Sequence, residues 1–224
     1  AESVVFVPKH RFADFAVDER LKKAIEYRGY VNPTPIQDSA IPHILAGSDV
    51  VGIANTGTGK TGAFLIPLIN KVLKSPRESV LIMAPTRELA IQIDDELRAL
   101  GDRLGIFSAI CVGGAPIGRQ IAALRRNNHF VIGTPGRLKD LIQQKYLDLS
   151  VCRTVVLDEA DRMLDMGFIH DMKFILSHIP KERHTLFFSA TLSREIEALI
   201  GAFLKNPVRV SVKTADTSKN VDQD

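Results

Sequence analysis

Residues 54–61 read Ala-Asn-Thr-Gly-Thr-Gly-Lys-Thr, and they lie between an apolar stretch ending at Ile53 and an amphipathic stretch beginning at Thr61. The glycines let the backbone curl so that several N–H groups point inward at one phosphate. A helix that begins directly after the loop adds partial positive charge at its N-terminus. A loop of this kind between a strand and a helix is typical of α/β domains that bind a polyphosphate.

Two side chains at the end of this phosphate loop also suit a bound polyphosphate. Lys60 would supply a full positive charge to the β- and γ-phosphates, and the Thr61 hydroxyl would coordinate Mg²⁺. Ala54 replaces the first glycine of the strict pattern, which is tolerable if its φ angle is negative. The alternative is a glycine-rich turn without a ligand. The predicted polyphosphate contacts are Thr56, Gly57, Thr58, Gly59, Lys60 and Thr61.

A pair of acids at the end of a second apolar stretch supports the phosphate site. Thr154–Leu157 is followed directly by Asp158 and Glu159, and two carboxylates there are costly to bury unless they serve a cation or a polar network. We predict that Asp158 holds hydrated Mg²⁺ and that Glu159 orients and deprotonates an attacking water. With Lys60 they form the predicted catalytic group. The alternative is a pair of solvated acids at a strand end.

The remaining sequence alternates short apolar stretches with longer amphipathic ones, which predicts a parallel sheet with right-handed crossovers. Asp18 is a suitable N-cap for a helix over Glu19–Arg28, and Gly29 a suitable stop. The predicted strands are Asp49–Ala54, Ser79–Ala84, Phe107–Val112, Phe130–Ile132, Thr154–Leu157, Thr185–Phe188 and Val208–Val212. The other predicted helices include one that begins at Thr34 and Pro35, and Thr61–Leu73, Glu88–Leu100, Ile117–Arg125 and Arg194–Leu204.

Composition narrows the class of protein. The 29 basic and 26 acidic residues leave a net charge of +3, which excludes a polybasic tail but not a local patch for nucleic acid. Cys111 and Cys152 are too few and too far apart for a disulfide framework, and the histidines lack zinc-site spacing. Without a signal-peptide pattern or an apolar run of about 18 residues, we predict a cytoplasmic protein with no membrane partner.

Asp158-Glu159-Ala160-Asp161 spells DEAD, and with the phosphate loop the chain resembles the first RecA-like domain of a DEAD-box RNA helicase. The resemblance covers roughly Phe12 to Val212. Asn55 departs mildly from it, since the family more often has glutamine there. The further matching elements, in chain order, are Gly29–Gln37 (Q motif) with Phe12 upstream, Pro85–Ala90 (motif Ia), Gly113–Gly114 (GG), Thr134–Arg137 (Ib) and Ser189–Thr191 (motif III).

The resemblance implies a RecA-like P-loop NTPase fold of the α/β class, with a mostly parallel central sheet of about seven strands and helices on both faces. It implies ATP and Mg²⁺ as cofactors and RNA as a partner. Residues 1–212 would form this first helicase domain, and 213–224 would begin the linker to a second RecA-like domain of the full-length chain. That second domain is absent from the 224 residues.

Three side chains are candidates for the adenine end of the nucleotide. The planar amide of Gln37 carries the donor and acceptor that match the adenine N6 and N7 edge. Tyr30 would stack on the adenine ring, and Phe12 would flank the base or brace the site. The alternatives are a surface glutamine and ordinary aromatic packing.

Three segments that follow predicted strands are candidates for RNA. Helix N-termini with hydroxyls bind anions, and glycines let another backbone approach closely. Contacts of this kind would ignore base identity and would be sensitive to salt. The alternatives are ordinary capping and turns, with Arg87 and Arg137 in surface ion pairs. The predicted RNA contacts are Pro85, Thr86, Arg87, Gly113, Gly114, Thr134, Pro135, Gly136 and Arg137.

Ser189 and Thr191 follow a predicted strand near the acids. In the family that this chain resembles, they hydrogen-bond to the last acid of the motif, here Asp161, and couple the nucleotide state to the grip on RNA. The alternative for the two hydroxyls is an ordinary cap before Arg194–Leu204, and Asp161 would then be a helix-surface acid.

The resemblance implies that the full-length protein opens short RNA duplexes locally, with ATP hydrolysis. The second domain supplies arginine fingers worth roughly 10³–10⁵ in rate, so we expect the 224-residue fragment to bind nucleotide but to be nearly inactive. Two alternatives stay open: a non-catalytic, nucleotide-gated scaffold, and a different P-loop motor such as a DNA translocase.

Overall fold

The computed structural model of the protein describes residues 6–212, so the predicted linker at 213–224 lies outside the described residues. The described part forms one seven-stranded sheet in the order β3-β4-β2-β5-β6-β1-β7, in which every strand pairing is parallel. The strands are β1 (Val50–Ile53), β2 (Val80–Met83), β3 (Ser108–Cys111), β4 (Phe130–Gly133), β5 (Thr154–Leu157), β6 (His184–Ser189) and β7 (Val208–Ser211).

Helices connect the strands and precede the first of them. Asp18 caps α1 by accepting a hydrogen bond from the Arg20 N–H, and Gly29 follows with a φ of +76°, as predicted. None of these helices combines the length and the apolarity needed to cross a bilayer. They are α1 (Glu19–Tyr27), α2 (Pro35–Leu45), α3 (Lys60–Lys74), α4 (Arg87–Gly101), α5 (Ile117–Leu124), α6 (Pro135–Gln143), α7 (Ala160–Asp165), α8 (Ile169–Ser177) and α9 (Arg194–Phe203), with a 3₁₀ turn at Phe12–Asp14.

The sheet separates two apolar layers, because successive side chains of a strand point to opposite faces. Val50 and Phe188 lie in the layer covered by α1–α4, whereas their neighbours Val51 and Phe187 lie in the layer covered by α5–α9. Burial on both faces explains why the strands are apolar throughout. The predicted parallel α/β fold, with about seven strands and helices on both faces, is therefore confirmed.

Gly133 ends β4 at a point where the backbone of β3 comes close. A Cβ at this position would lie 2.5 Å from the Cys111 carbonyl oxygen and 2.7 Å from the Leu138 side chain. The position therefore excludes any side chain, and it allows α6 to begin directly behind the strand.

We expect Gly133→Ala to lower the free energy of unfolding by about 1–3 kcal/mol, because the added methyl overlaps a carbonyl that cannot move without disturbing β3. Urea denaturation followed by circular dichroism measures the change. Gly118→Ala is the matched control: a Cβ there meets nothing within 4 Å, and alanine is favoured over glycine in a helix. A Gly133→Ala protein as stable as the wild type would contradict the close approach.

Candidate functional site

The segments singled out by sequence lie at one edge of the sheet. Parallel strands place their carboxyl ends together, and ligands of open α/β sheets bind at that edge. Read across the sheet, the edge carries 113–114 after β3, 134–137 after β4, 85–87 after β2, 158–159 after β5, 189–191 after β6 and 54–61 after β1.

The strand order divides this edge into two halves. The segments predicted to contact RNA follow β3, β4 and β2, while the phosphate loop and the two acids follow β1 and β5 with β6 between them. The sheet thus brings together residues that are about a hundred positions apart in sequence. It also keeps the two predicted ligands on neighbouring halves of one surface.

The phosphate loop has the backbone that the glycine pattern predicts. Gly57 and Gly59 have φ angles of +80° and +86°, and Ala54 is not among the residues with positive φ. The Ala54 N–H donates to the Ser189 carbonyl oxygen at 3.1 Å, which anchors the loop to β6. The helix α3 begins at Lys60, so the free N–H groups of its first turn lie at the end of the loop.

Lys60 joins the loop to both acids. Its Nζ lies 3.1 Å from Asp158 Oδ1 and 3.4 Å from Glu159 Oε1. The Lys60 and Asp158 side chains are buried, with 6% and 0% of their surface exposed. The loop and the acids therefore face each other across β6, with the lysine ammonium between them.

Asp158 has one carboxylate oxygen without a partner. Its Oδ1 accepts from Lys60 and from the Glu159 N–H at 2.9 Å, whereas its Oδ2 is buried without a hydrogen bond. Burial raises the pKa of the Asp158 carboxyl, an effect that Lys60 opposes. A buried oxygen left in this state is costly.

The free Asp158 oxygen fits a hard cation. Mg²⁺ is held through one or two carboxylates together with substrate phosphates. Asp158 and the Thr61 hydroxyl are the residues that would hold it. Between residues 6 and 212, no group of three or more His, Cys, Asp or Glu side chains is placed to bind a metal.

Glu159 is held by three side chains. Its Oε1 accepts from Thr56 Oγ1 at 3.3 Å and from Lys60 at 3.4 Å, and its Oε2 lies 3.4 Å from Arg162 Nη1. The residue has a φ of +49°. Such backbone strain in a residue with a side chain clusters at active sites. Sequence reasoning missed Arg162, although it follows the four acidic-motif residues directly.

Gln37, which was predicted to read the adenine edge, already uses both polar atoms of its amide within the protein. Its Oε1 accepts from the Thr34 N–H, and its Nε2 donates to the Gly59 carbonyl oxygen, both at 3.0 Å. One N–H and one lone pair are left for a base. Gln37 therefore braces the phosphate loop from α2, in addition to any contact with adenine.

The two aromatic candidates occupy different environments. Phe12 is buried, with 4% of its surface exposed, and its ring centroid lies 6.0 Å from those of Phe15 and Tyr30. Tyr30 is 39% exposed, and the Arg28 guanidinium lies over its ring at 5.7 Å. The structure favours the bracing alternative for Phe12 and leaves Tyr30 as the accessible ring.

The other half of the edge is tied together by two arginines. Arg87 Nη1 donates to the Gly114 carbonyl oxygen at 3.4 Å, and Arg137 Nη1 donates to the Ala115 carbonyl oxygen at 3.2 Å. Gly114 has a φ of +73°. The partners of these arginines are carbonyl oxygens, so the ion pairs considered as an alternative are not what the structure shows.

Gln120 is a buried member of this group that sequence reasoning missed. It accepts from Arg137 Nη1 at 3.0 Å and donates to the Val112 carbonyl oxygen at 2.9 Å. Its amide thus links α5, the glycine pair and Arg137. No local signal marks it, because its partners lie 8 and 17 residues away.

The other predicted RNA contacts act through the backbone or lie open. Thr86 caps α4 by accepting from the Leu89 N–H at 3.2 Å, while Thr134 precedes α6 as its N-cap without a side-chain bond. A Cβ at Gly113 or Gly136 would meet nothing within 4 Å. Two of the predicted RNA contacts, Pro85 and Pro135, are buried and offer little side-chain surface to a ligand.

The hydroxyls after β6 behave differently from each other. Thr191 Oγ1 donates to Asp161 Oδ2 at 3.2 Å, as the resemblance implies. Ser189 does not: its buried hydroxyl donates to the Thr191 carbonyl oxygen at 2.9 Å. The expectation that both contact Asp161 is therefore wrong for Ser189, because its hydroxyl bonds to a carbonyl oxygen of its own segment instead.

The fold and this edge define a P-loop domain of the RecA-like type. The family model for DEAD/DEAH box helicases matches residues 34–199, and the chain belongs to that family. Two relatives named DEAD-box ATP-dependent RNA helicase CshA, from Bacillus licheniformis and Bacillus subtilis, are 48% and 46% identical to it over 214 residues. The aligned region covers 95% of this chain but 44% and 43% of theirs, so the chain spans less than half the length of these relatives.

Solved structures show the same relationship. A crystal structure of a DEAD box protein from the hyperthermophile Methanococcus jannaschii superimposes with a TM-score of 0.87 at 39% identity, over 92% of this chain and 57% of that one. A hypothetical ATP-dependent RNA helicase from Sulfolobus tokodaii superimposes with a TM-score of 0.80 at 38% identity, over 87% and 57%.

We expect Gln37→Ala to weaken ATP binding about tenfold and GTP binding much less, because only adenine complements the remaining N–H and lone pair of the amide. Isothermal titration of the 224-residue chain with ATP, ADP, AMP and GTP measures the difference. An equal loss for ATP and GTP would assign Gln37 to the support of Gly59 alone and would remove the adenine-reading role.

Proposed function

We propose that this chain is the ATP- and RNA-backbone-binding half of an ATP-dependent RNA helicase. The observation that carries the proposal is the convergence of Asp158 and Glu159 on Lys60, opposite the phosphate loop. The names of the relatives support it. The proposal covers the substrate class and the reaction, namely hydrolysis of ATP coupled to local opening of RNA duplexes.

In this mechanism Lys60 is the group that changes partners. A polyphosphate in the loop competes for its ammonium, which now lies 3.4 Å from Glu159. Once Lys60 turns to the β- and γ-phosphates, the Glu159 carboxylate is free to accept a proton from the attacking water. Thr61 and Asp158 would hold Mg²⁺, and when bound this cation would offset the charge of the phosphates.

RNA would bind along the half of the edge formed after β3, β4 and β2. Arg87 and Arg137 sit at the start of α4 and α6, where helix N-termini favour phosphate. Thr191 follows β6 and contacts Asp161, which follows β5, and we propose that this contact passes the nucleotide state to the RNA contacts.

The second RecA-like domain is proposed to complete both sites, and a cytoplasmic location is proposed for the protein. Supplying arginine fingers from that domain would add roughly 10³–10⁵ in rate. The two thiols are free, and burial raises the pKa of Cys111 to about 12 and that of Cys152 to about 11. Unreactive buried thiols of this kind suit a reducing compartment.

We expect Glu159→Gln, made in a protein that carries both domains, to retain ATP binding and lose hydrolysis by more than about 10²-fold, since a general base contributes 10²–10⁴. Phosphate release with and without RNA measures it. The 224-residue chain alone should bind nucleotide without RNA-stimulated turnover. Unchanged function in Glu159→Gln would favour the nucleotide-gated scaffold, and stimulation by DNA equal to that by RNA would favour a DNA translocase.

We expect Arg137→Ala to weaken binding of single-stranded RNA by a similar factor for every sequence, and to reduce the slope of log affinity against log salt by about 1. Fluorescence anisotropy with two unrelated oligonucleotides measures both. Arg153→Ala is the control, because Arg153 lies just before β5, at the opposite edge of the sheet. A loss confined to one of the two sequences would contradict backbone recognition.

A further inference from the structure

A buried carboxylate on α2 holds the segment that precedes the first helix. Asp38 Oδ2 accepts from the Lys9 N–H at 2.9 Å, and Asp38 Oδ1 accepts from the His10 N–H at 3.1 Å. The His10 ring adds Nδ1 at 2.7 Å from the same Oδ1. Asp38 is 6% exposed, so one carboxylate satisfies three donors of a segment 28–29 residues away in sequence.

The tethered segment leads into the aromatic side of the nucleotide site. Two residues after His10, the Phe12 N–H donates to the Val31 carbonyl oxygen at 3.1 Å, and the Phe12 ring packs against Tyr30. Asp38 also follows Gln37, whose amide donates to the phosphate loop. The first turn of α2 therefore holds the phosphate loop with one side chain and the aromatic segment with the next.

Apolar packing holds the start of this segment weakly. Phe6 and Val7 are 44% and 78% exposed, and Lys9 is exposed as well. Burial raises the pKa of the Asp38 carboxyl, but the hydrogen bonds from Lys9 and His10 outweigh burial and hold the pKa below its usual value. The carboxylate is thus ionised in the fold, and its charge strengthens all three contacts.

We propose that Asp38 is a positioning residue for the nucleoside end of the nucleotide. It fixes residues 9–12 so that Phe12 supports Tyr30, the accessible ring beside Gln37. Binding of the base then depends on Asp38, whereas binding of the phosphates depends on the phosphate loop and Lys60. This inference rests on the proposed function, because it assigns the aromatic side of the site to adenine.

The test separates the two ends of the ligand. In the 224-residue chain, Asp38→Asn keeps the shape of the side chain but replaces one acceptor oxygen with an N–H₂ donor, which opposes the Lys9 or His10 N–H. Isothermal titration is done with MgADP and with magnesium tripolyphosphate, which lacks the nucleoside. We expect affinity for ADP to fall about tenfold and affinity for tripolyphosphate to stay within about twofold.

Two further variants and a structural readout sharpen the result. His10→Ala removes one of the three donors and should give a smaller loss for ADP, again without loss for tripolyphosphate. Asp148→Asn is the matched control, since Asp148 also accepts from a backbone N–H, that of Ser150 at 2.9 Å, in a loop far from the site. Trypsin should cut Asp38→Asn faster after Lys9 and Arg11, because the released segment enters the protease more readily.

The possible outcomes are distinct. Faster cleavage with unchanged ADP affinity would overturn the inference. Asp38 would then order the segment without any effect on binding of the base. An equal loss for ADP and tripolyphosphate in Asp38→Asn and His10→Ala would also overturn it, because Asp38 would then act through the whole fold. Wild-type protein that binds tripolyphosphate but not ADP would instead contradict the proposed function itself.

Discussion

The buried contact between the Lys60 ammonium and the Asp158 carboxylate is the constraint on which the site depends. Burying two charges costs more than their attraction returns unless the geometry is good and other donors join. Here the Glu159 N–H joins the carboxylate, and Glu159 itself shares the lysine. The pair joins the start of α3, which follows the phosphate loop, to the end of β5, and it leaves one Asp158 oxygen without a hydrogen bond.

Because β6 lies between β1 and β5, the segment at its end contacts both the phosphate loop and the acidic motif. The carbonyl oxygen of Ser189 receives the Ala54 N–H of the phosphate loop, and two residues later Thr191 contacts Asp161. A short segment therefore touches both the loop and the acidic motif. The half of the edge proposed to bind RNA begins beyond β5, next to the acidic motif.

The phosphate loop is also supported from outside the sheet. A Cβ at Gly59 would lie 2.7 Å from the Gln37 amide nitrogen, so a side chain there would push that amide away from the Gly59 carbonyl oxygen. The glycine is needed for this contact as well as for its positive φ. The α2 helix, which precedes β1 in sequence, thus contacts the phosphate loop through Gln37. Through Asp38 it also contacts the segment before α1.

The parallel α/β fold, the phosphate loop and the acids after β5 were predictable from sequence, because they depend on local patterns. These patterns are apolar stretches, glycines in a turn and charge at a strand end. The helices α7 and α8 were not identified; the six residues of α7 are too few to show periodicity. Four features required the three-dimensional fold: the partner of Ser189, the two hydrogen bonds of the Gln37 amide, and the contacts of Gln120 and Asp38. Most of those contacts join segments distant in the chain, and all depend on how backbone and side chains pack there.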